Sequence, residues 1–274
     1  MIQFENVRKE YPDGTVAVDD FTLEIPSHEV VVLLGSSGCG KTTLMRMVNR
    51  MVDPTSGTVA IDGQDVAATD PVKLRRSIGY VMQSGGLLPH RTVLDNIATV
   101  PLLLGTSRRE AHSHGCELLE LVGLDQGVAK RYPSQLSGGQ RQRIGVARAL
   151  ASDPNILLMD EPFGAVDPVV RAELQTELLR LQKELSKTIL FVTHDVDEAF
   201  LLGQQVLVLR TGAEVAQAGS PRDILLDPAD DFVADFIGGA RRRLRTERRD
   251  GRHIVVDDAG RVTGVMQDDP LVTG

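Results

Sequence analysis

The feature that most constrains the fold lies between residues 30 and 51, where three patterns follow one another. Residues 30–34 form an uninterrupted apolar run, which is typical of a strand buried on both faces of a sheet. Leu44, Met47, Val48 and Met51 then recur at helical spacing. Between them, residues 35–42 read Gly-Ser-Ser-Gly-Cys-Gly-Lys-Thr and fit the pattern G-x-x-x-x-G-K-[ST]. A strand, a glycine-rich turn and a helix in this order predict a phosphate-binding loop.

The residue types of this loop suit an anion. Glycines let successive backbone N–H groups turn inward around phosphate oxygens, and the following helix points its positive end at the same place. Lys41 is predicted to reach the β- and γ-phosphates of a nucleotide, and the Thr42 hydroxyl to bind Mg²⁺. An ordinary glycine-rich turn is the alternative, and the order of strand, loop and helix favours the phosphate site. The residues assigned to it are Gly35, Ser36, Ser37, Gly38, Cys39, Gly40, Lys41, Thr42 and Thr43.

Two carboxylates follow a second apolar run. Residues 155–160 predict another buried strand, which ends on Asp160, and Glu161 comes next. Asp160 is predicted to hold Mg²⁺ directly or through water. Glu161 is predicted to act as the general base that polarises a water molecule for attack on the γ-phosphate. Two exposed acids at a strand end would explain the pair equally well in isolation, but the phosphate loop favours the functional interpretation.

The rest of the chain alternates between strand and helix patterns. Strands are predicted over residues 1–33, 58–61, 78–82 and 188–192, and helices over residues 107–151 and from Pro168 onward. Ser107 with Glu110 and Ser137 with Gln140 have the spacing of capping boxes, and Asp167 precedes Pro168 as a helix cap. This alternation predicts an α/β fold with a mostly parallel sheet.

Composition excludes several classes of protein. A net charge of −8, no tryptophan and 4% aromatic residues argue against nucleic acid as a partner. Two cysteines, Cys39 and Cys116, are too few for a disulfide framework. The apolar runs fall far short of the roughly 20 residues of a membrane-spanning helix, and the N-terminus has no secretory h-region. We therefore expect a soluble, cytoplasmic protein.

The segment Leu-Ser-Gly-Gly-Gln at residues 136–140 predicts a helix N-terminus suited to an anion. Together with the phosphate loop and with Leu-Leu-Met-Asp-Glu at residues 157–161, it resembles the signature of ABC-type ATPases. The resemblance covers about residues 1–238. It implies a P-loop NTPase fold with a RecA-like core, an antiparallel β subdomain and an α-helical signature subdomain at about residues 84–152. Residues 239–274 would form a basic linker and a short, incomplete CBS-like tail.

Four further residues match motifs of this family. The resemblance implies that Tyr11 stacks on adenine, that Gln83 contacts Mg²⁺ and the attacking water, and that His194 contacts the γ-phosphate. Asp167 matches the D-loop aspartate, although the preceding Val166 stands where the family more often has leucine. Without the resemblance, Tyr11 would be interpreted as an ordinary tyrosine at a strand end. A lone histidine after a strand is usually a polar loop residue, but the position of His194 after a buried strand, beside the phosphate loop, favours a functional role.

The resemblance also implies partners. In this family the phosphate loop of one subunit faces the signature residues of another across ATP, which here are Ser137, Gly138, Gly139 and Gln140. We therefore expect a homodimer that sandwiches ATP and Mg²⁺. Because no membrane helix is fused to the domain, the chain resembles an importer subunit, which would lie at the cytoplasmic face of the membrane. It would bind integral membrane permease subunits and work indirectly with a solute-binding protein. Residues 87–90 would contribute to the groove for the permease, or else pack on their own helical subdomain.

Several stretches resemble the quaternary-amine uptake subfamily, which imports glycine betaine, choline and carnitine. These are residues 78–83, 131–136, 191–199 and 227–238. Amino-acid and polyamine importers share parts of them and remain an alternative, as does a soluble ABC ATPase that acts outside transport. A small-molecule kinase with a phosphate loop would leave residues 136–140 unexplained. The tail departs from the subfamily pattern, because residues 254–266 resemble a single CBS strand–turn–strand fragment.

Overall fold

The computed structural model describes residues 1–83, 85–164, 166–238, 245–249, 252–256 and 262–265. The chain divides into two compact units, Met1–Pro221 and Arg222–Gly274. This division precedes residue 238, and the functional domain boundary there stays a prediction.

The first unit contains two sheets. Its strands are β1 (Ile2–Glu10), β2 (Val16–Ile25), β3 (Val30–Gly35), β4 (Ser56–Ile61), β5 (Gln64–Asp65), β6 (Ile78–Val81), β7 (Ile156–Asp160), β8 (Thr188–Thr193), β9 (Gln205–Leu209) and β10 (Val215–Gly219). Its helices are α1 (Lys41–Val48), α2 (Pro71–Ser77), α3 (Val93–Ile97), α4 (Thr99–Leu103), α5 (Arg108–Leu121), α6 (Gly138–Leu150), α7 (Pro168–Leu185) and α8 (Val196–Leu202). A further helix, α9 (Pro221–Leu226), begins at the boundary between the units.

The central sheet has the order β10-β9-β3-β8-β7-β6. All its neighbouring strands are parallel except β10, which pairs antiparallel with β9. Every residue of β3 and β8 is buried, which explains why both strands read as continuous apolar runs. The predicted mostly parallel sheet is confirmed. Because the carboxyl ends of β3, β7 and β8 lie side by side, the loops after these strands meet at one edge.

The second sheet is antiparallel and has the order β2-β1-β4-β5. Phe4 and Phe21 pack edge to face inside it with ring centroids 5.3 Å apart. The predicted hairpin after residue 61 is present, and Asp62 and Gly63 both adopt positive φ in its turn. This sheet is the predicted antiparallel β subdomain.

The helical segment differs in detail from the prediction. Both predicted capping boxes are present, at Ser107 with Glu110 and at Ser137 with Gln140. The prediction of helix throughout residues 107–151 is wrong in its middle, because short 3₁₀ turns at Gln126–Val128 and Pro133–Gln135 separate α5 from α6. Gly123 has a φ of 68°, which ends the first helix.

Two predicted elements are shorter than expected. Helix α1 ends at Val48, so Met51, which was predicted to belong to its apolar stripe, lies outside the helix and is 51% exposed. Strand β6 ends at Val81, and Met82 lies outside it. In α7, Leu174, Leu178 and Leu181 form the predicted buried stripe. The side chain of Leu185 lies outside the described residues.

The second unit contains α10 (Asp231–Phe236) and a three-stranded antiparallel sheet of β11 (Arg245–Arg249), β12 (Arg252–Val256) and β13 (Val262–Val265). Strands β12 and β13 agree with the predicted strand–turn–strand fragment, while residues 257–261 and Met266 lie outside the described residues. Strand β11 covers residues 245–249 of the stretch predicted to be a basic linker and an incomplete tail, and its backbone pairs along the whole of β12. The assignment of that stretch as linker and tail stays a prediction.

Among the described residues, no helix combines the length and the apolar character needed to cross a bilayer.

Candidate nucleotide site

The phosphate loop joins the buried strand β3 to helix α1. Gly40 precedes the helix with a φ of 112°, and a Cβ atom there would lie 2.4 Å from the Ala17 carbonyl oxygen. A Cβ atom on Gly35 would lie 2.7 Å from the Leu209 carbonyl oxygen. Only glycine fits at either place. Within the described chain no side chain caps α1, so its first backbone N–H groups remain available to an anion.

Lys41 lies inside the loop. Its side chain is buried, and Nζ donates hydrogen bonds to the carbonyl oxygens of Gly35 at 2.7 Å and Ser36 at 2.8 Å. The Cys39 thiol is buried beside it, so this residue would reach a phosphate through its backbone alone. An open cavity of about 180 Å³ lies at the loop. Its lining consists of Ala17, Ser37, Gly38, Gly40, Lys41, Thr42, Thr43 and Glu161.

Two predicted metal ligands, Thr42 and Asp160, are in contact although they are far apart in the chain. The Thr42 hydroxyl donates a hydrogen bond of 2.9 Å to Oδ1 of Asp160, at the end of β7. A hydroxyl and a carboxylate oxygen are ligands that suit Mg²⁺. Among the described residues, no group of three or more His, Cys, Asp or Glu side chains could hold a metal ion by itself, so a metal here would complete its shell with phosphate and water oxygens.

Tyr80 on β6 also contacts Asp160, and the sequence analysis missed it. Its hydroxyl donates to Oδ2 of Asp160 at 3.2 Å, which leaves Oδ1 for Thr42. Burial and the neighbouring Asp160 carboxylate raise the pKa of Tyr80, so the phenol stays protonated as a donor. The parallel pairing of β6 with β7 creates this contact between residues 80 apart in the chain. No sequence pattern signalled it.

The three predicted catalytic residues converge on one oxygen. Oε2 of Glu161 lies 3.4 Å from Nε2 of Gln83 and 3.2 Å from Nδ1 of His194. Glu161 adopts a φ of 43°, a left-handed conformation that costs a non-glycine residue about 1–3 kcal/mol. Its backbone N–H is held by the Val192 carbonyl of β8 at 3.0 Å. The strained backbone turns the carboxylate toward the phosphate loop, where Glu161 lines the cavity.

The signature residues do not contact the phosphate loop of their own chain. Ser137 and Gln140 are hydrogen-bonded to each other at the N-terminus of α6. Ser137 and Gly138 are exposed, while Gly139 packs so closely on α7 that an added Cβ atom would lie 2.3 Å from Val170. These residues therefore offer an exposed helix N-terminus rather than a part of the cavity at Lys41.

Two other predicted residues also lie outside the cavity lining. Asp167 caps α7, accepting hydrogen bonds from the backbone N–H groups of Val169 at 3.2 Å and Val170 at 3.1 Å. Tyr11 lies in the turn between β1 and β2, with the Lys9 ammonium 5.4 Å from its ring centroid. Their predicted contacts with nucleotide stay predictions.

The loop predicted to face a permease is organised by Asn96 of α3. This side chain is fully buried; it accepts a hydrogen bond from Leu88 N at 2.7 Å and donates to the carbonyl oxygens of Leu88, Arg91 and Thr92. Pro89 and His90 are exposed, and the preceding leucines are half-buried. The loop is thus packed at its base and exposed at its tip.

A second network that the sequence analysis missed lies beside His194. The Thr193 hydroxyl donates to the buried Glu198 carboxylate at 2.7 Å. Arg171 of α7 bonds to Asp195 at 3.2 Å, and its Nε lies 3.7 Å from Glu198. Burial raises the pKa of Glu198. The network fixes the segment around His194 against α7.

The comparisons with known proteins identify the family of this chain. The family model described as "ABC transporter" matches residues 18–164. The carnitine transport ATP-binding protein OpuCA of Listeria monocytogenes is 53% identical over 241 residues, which is 88% of this chain and 60% of that protein. The choline transport ATP-binding protein OpuBA of Bacillus subtilis is 51% identical over 88% of this chain and 63% of its own length. This chain therefore spans less than two thirds of these relatives. The glycine betaine uptake system ATP-binding protein YehX of Escherichia coli is 47% identical, with 89% of this chain and 79% of that protein covered.

Solved structures show the same fold. The dimeric structure of MJ0796, described as a bacterial ABC transporter cassette, has a TM-score of 0.74 and 34% identity, covering 81% of this chain and 99% of that one. A second structure of MJ0796 is bound to ADP and Pi and matches equally well. The cassette cbiO1 from Clostridium perfringens has a TM-score of 0.75 and 29% identity over 83% of this chain and 91% of that one. By its matched motifs, its sheet order and these relatives, the chain belongs to the ABC transporter family.

Proposed function

We propose that this chain is the ATP-binding and ATP-hydrolysing subunit of a membrane importer for quaternary amines such as glycine betaine, choline or carnitine. The observation that carries the hydrolytic activity is the contact of both Gln83 and His194 with Oε2 of Glu161, next to the phosphate loop. A carboxylate held between an amide and an imidazole is oriented for accepting a proton from water.

The loop residues would bind the triphosphate. Lys41 would exchange its carbonyl partners for phosphate oxygens, and the uncapped N–H groups of α1 would hold further oxygens. Thr42 and Asp160 would hold Mg²⁺, and the 2.9 Å between their oxygens supports this assignment. The ion, when bound, would offset the charge of the phosphates.

Glu161 would then act on a water molecule in line with the γ-phosphate. The carboxylate would accept a proton as the water oxygen bonds to the γ-phosphorus, and the bond from that phosphorus to the bridging oxygen would break, which releases ADP and phosphate. Gln83 and His194 would orient the Glu161 carboxylate by contacting its Oε2. His194 would also donate a hydrogen bond to the γ-phosphate, on whose oxygens negative charge develops in the transition state.

The exposed signature residues support a two-chain site. Ser137–Gln140 do not contact Lys41 in one chain, so a second copy would bring its own α6 N-terminus to the nucleotide. We therefore propose a homodimer around two ATP molecules, bound to permease subunits at the cytoplasmic face of the membrane. A solute-binding protein would take part indirectly. The solute class rests on the names of relatives, which include transport proteins for carnitine, choline and glycine betaine.

The test has two parts. The purified full chain should release phosphate from Mg-ATP, and co-expression with a candidate permease and binding protein should confer uptake of labelled glycine betaine, choline or carnitine. Competition with unlabelled amino acids and polyamines separates the alternatives. Uptake of an amino acid or a polyamine in place of a quaternary amine would contradict the solute class. Absence of phosphate release would contradict the enzymatic proposal.

A further inference from the structure

A second cavity lies in the first unit, at the end of the central sheet opposite to the phosphate loop. It is an open cleft of about 400 Å³, lined by the β4–β5 turn, by helix α2 and by the first residues of β6 and β7. Ile156 begins β7 and lines this cleft, whereas Asp160 ends the same strand beside Thr42. Four residues of a strand span about 13 Å. Among the described residues, the linings of the two cavities share no member.

The floor of the cleft is apolar. Its residues are buried members of the main hydrophobic core, namely Val66, Leu74, Ile78 and Ile156. Small-molecule sites have volumes of about 300–1,000 Å³ and are lined mostly by apolar side chains with a few polar groups. The size and the floor of this cleft therefore suit a small ligand with an apolar body.

The rim of the cleft is polar and offers hydrogen-bond donors. Gln64 and Asn155 both line the cleft and are exposed. Within the part of the chain that the structure describes, neither side-chain amide has a hydrogen-bond partner. Each amide can donate two hydrogen bonds, so both are available to an acceptor on a ligand.

Lys73 of α2 supplies a positive charge without a counterion. Of the described residues that line the cleft, Lys73 and Asp62 are the charged ones. The Asp62 carboxylate is paired with the Met1 ammonium at 2.7 Å. Lys73 forms no ion pair among the described residues, and the nearby Asp70 carboxylate accepts from the backbone N–H groups of Val72 and Lys73 instead. A negatively charged ligand would therefore be attracted to this cleft.

We propose that the cleft is a binding site for a small organic anion, a carboxylate carried on an apolar body. Lys73 would pair with the carboxylate, and the amides of Gln64 and Asn155 would donate to its oxygens. The apolar body would lie on the floor and displace water from Leu74 and Ile156. The site is separate from the nucleotide site, so this inference does not rest on the proposed function.

The test uses an anionic fluorescent probe, anilinonaphthalene sulfonate, whose emission increases in apolar surroundings, and octanoate as its competitor. The full chain is expected to bind the probe saturably and to release it on addition of octanoate. Octanol and octylammonium carry the same apolar body with a neutral or a positive head group. Both are expected to compete about fivefold or more weakly than octanoate, because they cannot pair with Lys73.

Two variants test the site itself. Lys73→Gln removes the charge from an exposed side chain and should weaken octanoate binding about fivefold, the upper range for an ion pair in contact with water. Asn155→Phe fills the cleft from its rim and should abolish binding of the probe and of octanoate. Lys183→Gln is the matched control, because it removes an exposed lysine of α7 outside the lining. Lys73→Gln alone decides the result if Asn155→Phe does not fold.

Hydrogen exchange without nucleotide locates the bound octanoate. Residues 64–66 and 71–78 should become protected in the wild type and in Lys183→Gln, and this protection should decrease in Lys73→Gln. Residues 35–43, which form the phosphate loop, should exchange at an unchanged rate.

Four results would overturn the inference: no saturable binding, equal competition by octanol and octanoate, wild-type affinity in Lys73→Gln, or protection of residues 35–43 in place of residues 64–78. None of these measurements involves hydrolysis of ATP. A failure of the proposed function would therefore leave them unchanged, and a failure of the anion site would leave the proposed function intact.

Discussion

At the scale of single residues, the position of Lys41 explains its importance for the phosphate loop. Its ammonium is buried among the loop carbonyls and would be the one charge directed at the phosphates from within the loop. Lys41→Ala is expected to lower ATP hydrolysis more than about 100-fold and to weaken ATP binding, because a positioned cation contributes that much to charge stabilisation. Phosphate release and equilibrium dialysis with labelled ATP measure the two effects. Lys183→Ala, which removes an exposed lysine of α7, serves as the control. Wild-type turnover of Lys41→Ala would refute the phosphate-loop assignment.

Tyr80 is expected to tune the metal affinity of Asp160. Its hydroxyl occupies Oδ2 and so keeps Oδ1 toward Thr42. Tyr80→Phe should raise the Mn²⁺ concentration needed for half-maximal hydrolysis about tenfold or more, because loss of a partner that orients a metal ligand typically costs this much. Electron paramagnetic resonance of Mn²⁺ with a non-hydrolysable ATP analogue measures the binding itself. Tyr132→Phe is the control, since Tyr132 is 45% exposed and makes no contact with Asp160 among the described residues. Equal Mn²⁺ affinity in both variants would rule out this role.

At the scale of secondary-structure elements, Asp167 has a structural role that can be separated from the D-loop role implied by the family. Its carboxylate caps α7 through the N–H groups of Val169 and Val170. Asp167→Ala should lower the free energy of unfolding by about 1 kcal/mol, while Asp167→Asn, which keeps the acceptor oxygen, should lower it far less. Urea denaturation measures both. If both variants are as stable as the wild type and both lose activity, the capping role is not significant and the D-loop role prevails.

The packing of α8 on β8 should depend on pH through Glu198. Burial raises its pKa above the ordinary value of 4.5, so the folded chain binds this proton more tightly than the unfolded chain. The stabilisation is complete below the ordinary pKa and is lost as the pH rises through the raised pKa. Glu198→Gln resembles the protonated form at every pH and can still accept from Thr193. The Tm of this variant relative to the wild type should therefore increase between pH 4 and pH 7, by differential scanning fluorimetry.

The control for Glu198 is Glu5→Gln, because Glu5 is exposed. Its Tm difference from the wild type should not change in this pH range. A Tm difference for Glu198→Gln that is constant or decreases with rising pH would contradict the assignment of a raised pKa.

At the scale of the whole molecule, Glu161→Gln should separate hydrolysis from dimer closure. Glutamine keeps the size of the side chain and a hydrogen-bonding oxygen, but it cannot accept the proton and carries no negative charge toward ATP. Hydrolysis should fall by a factor of about 10²–10⁴, the range for loss of a general base. Two chains should remain closed around two ATP molecules, which size-exclusion chromatography with Mg-ATP detects as a dimer.

Asp160→Asn supplies the contrast for this experiment. It should weaken the response to Mg²⁺ and lower hydrolysis without stabilising the closed dimer, because Asp160 faces Thr42 and the metal side of the site. A Glu161→Gln protein that stays monomeric and hydrolyses ATP at the normal rate would refute both the general base and the sandwich dimer.

The local features of this protein could be predicted from sequence because their interactions span only a few residues. The strand, loop and helix around Gly35–Lys41 are contiguous, and the capping boxes at Ser107 and Ser137 join residues three apart. The predictions failed where a local pattern continued beyond the end of its element, as at Met51 after helix α1.

Sequence alone therefore determined the phosphate loop, the two carboxylates at the end of β7 and the parallel α/β class, since each depends on patterns within contiguous stretches or on their order along the chain. Only the tertiary structure decided which side chains contact one another although they are far apart in the chain. The order of strands in the sheet brings Tyr80 to Asp160, and the packing of α6 brings Arg148 to the turn after Gln83. These contacts join residues 80 and 62 apart in the chain. No periodicity reaches across such separations, and only the shared burial of the elements fixes them.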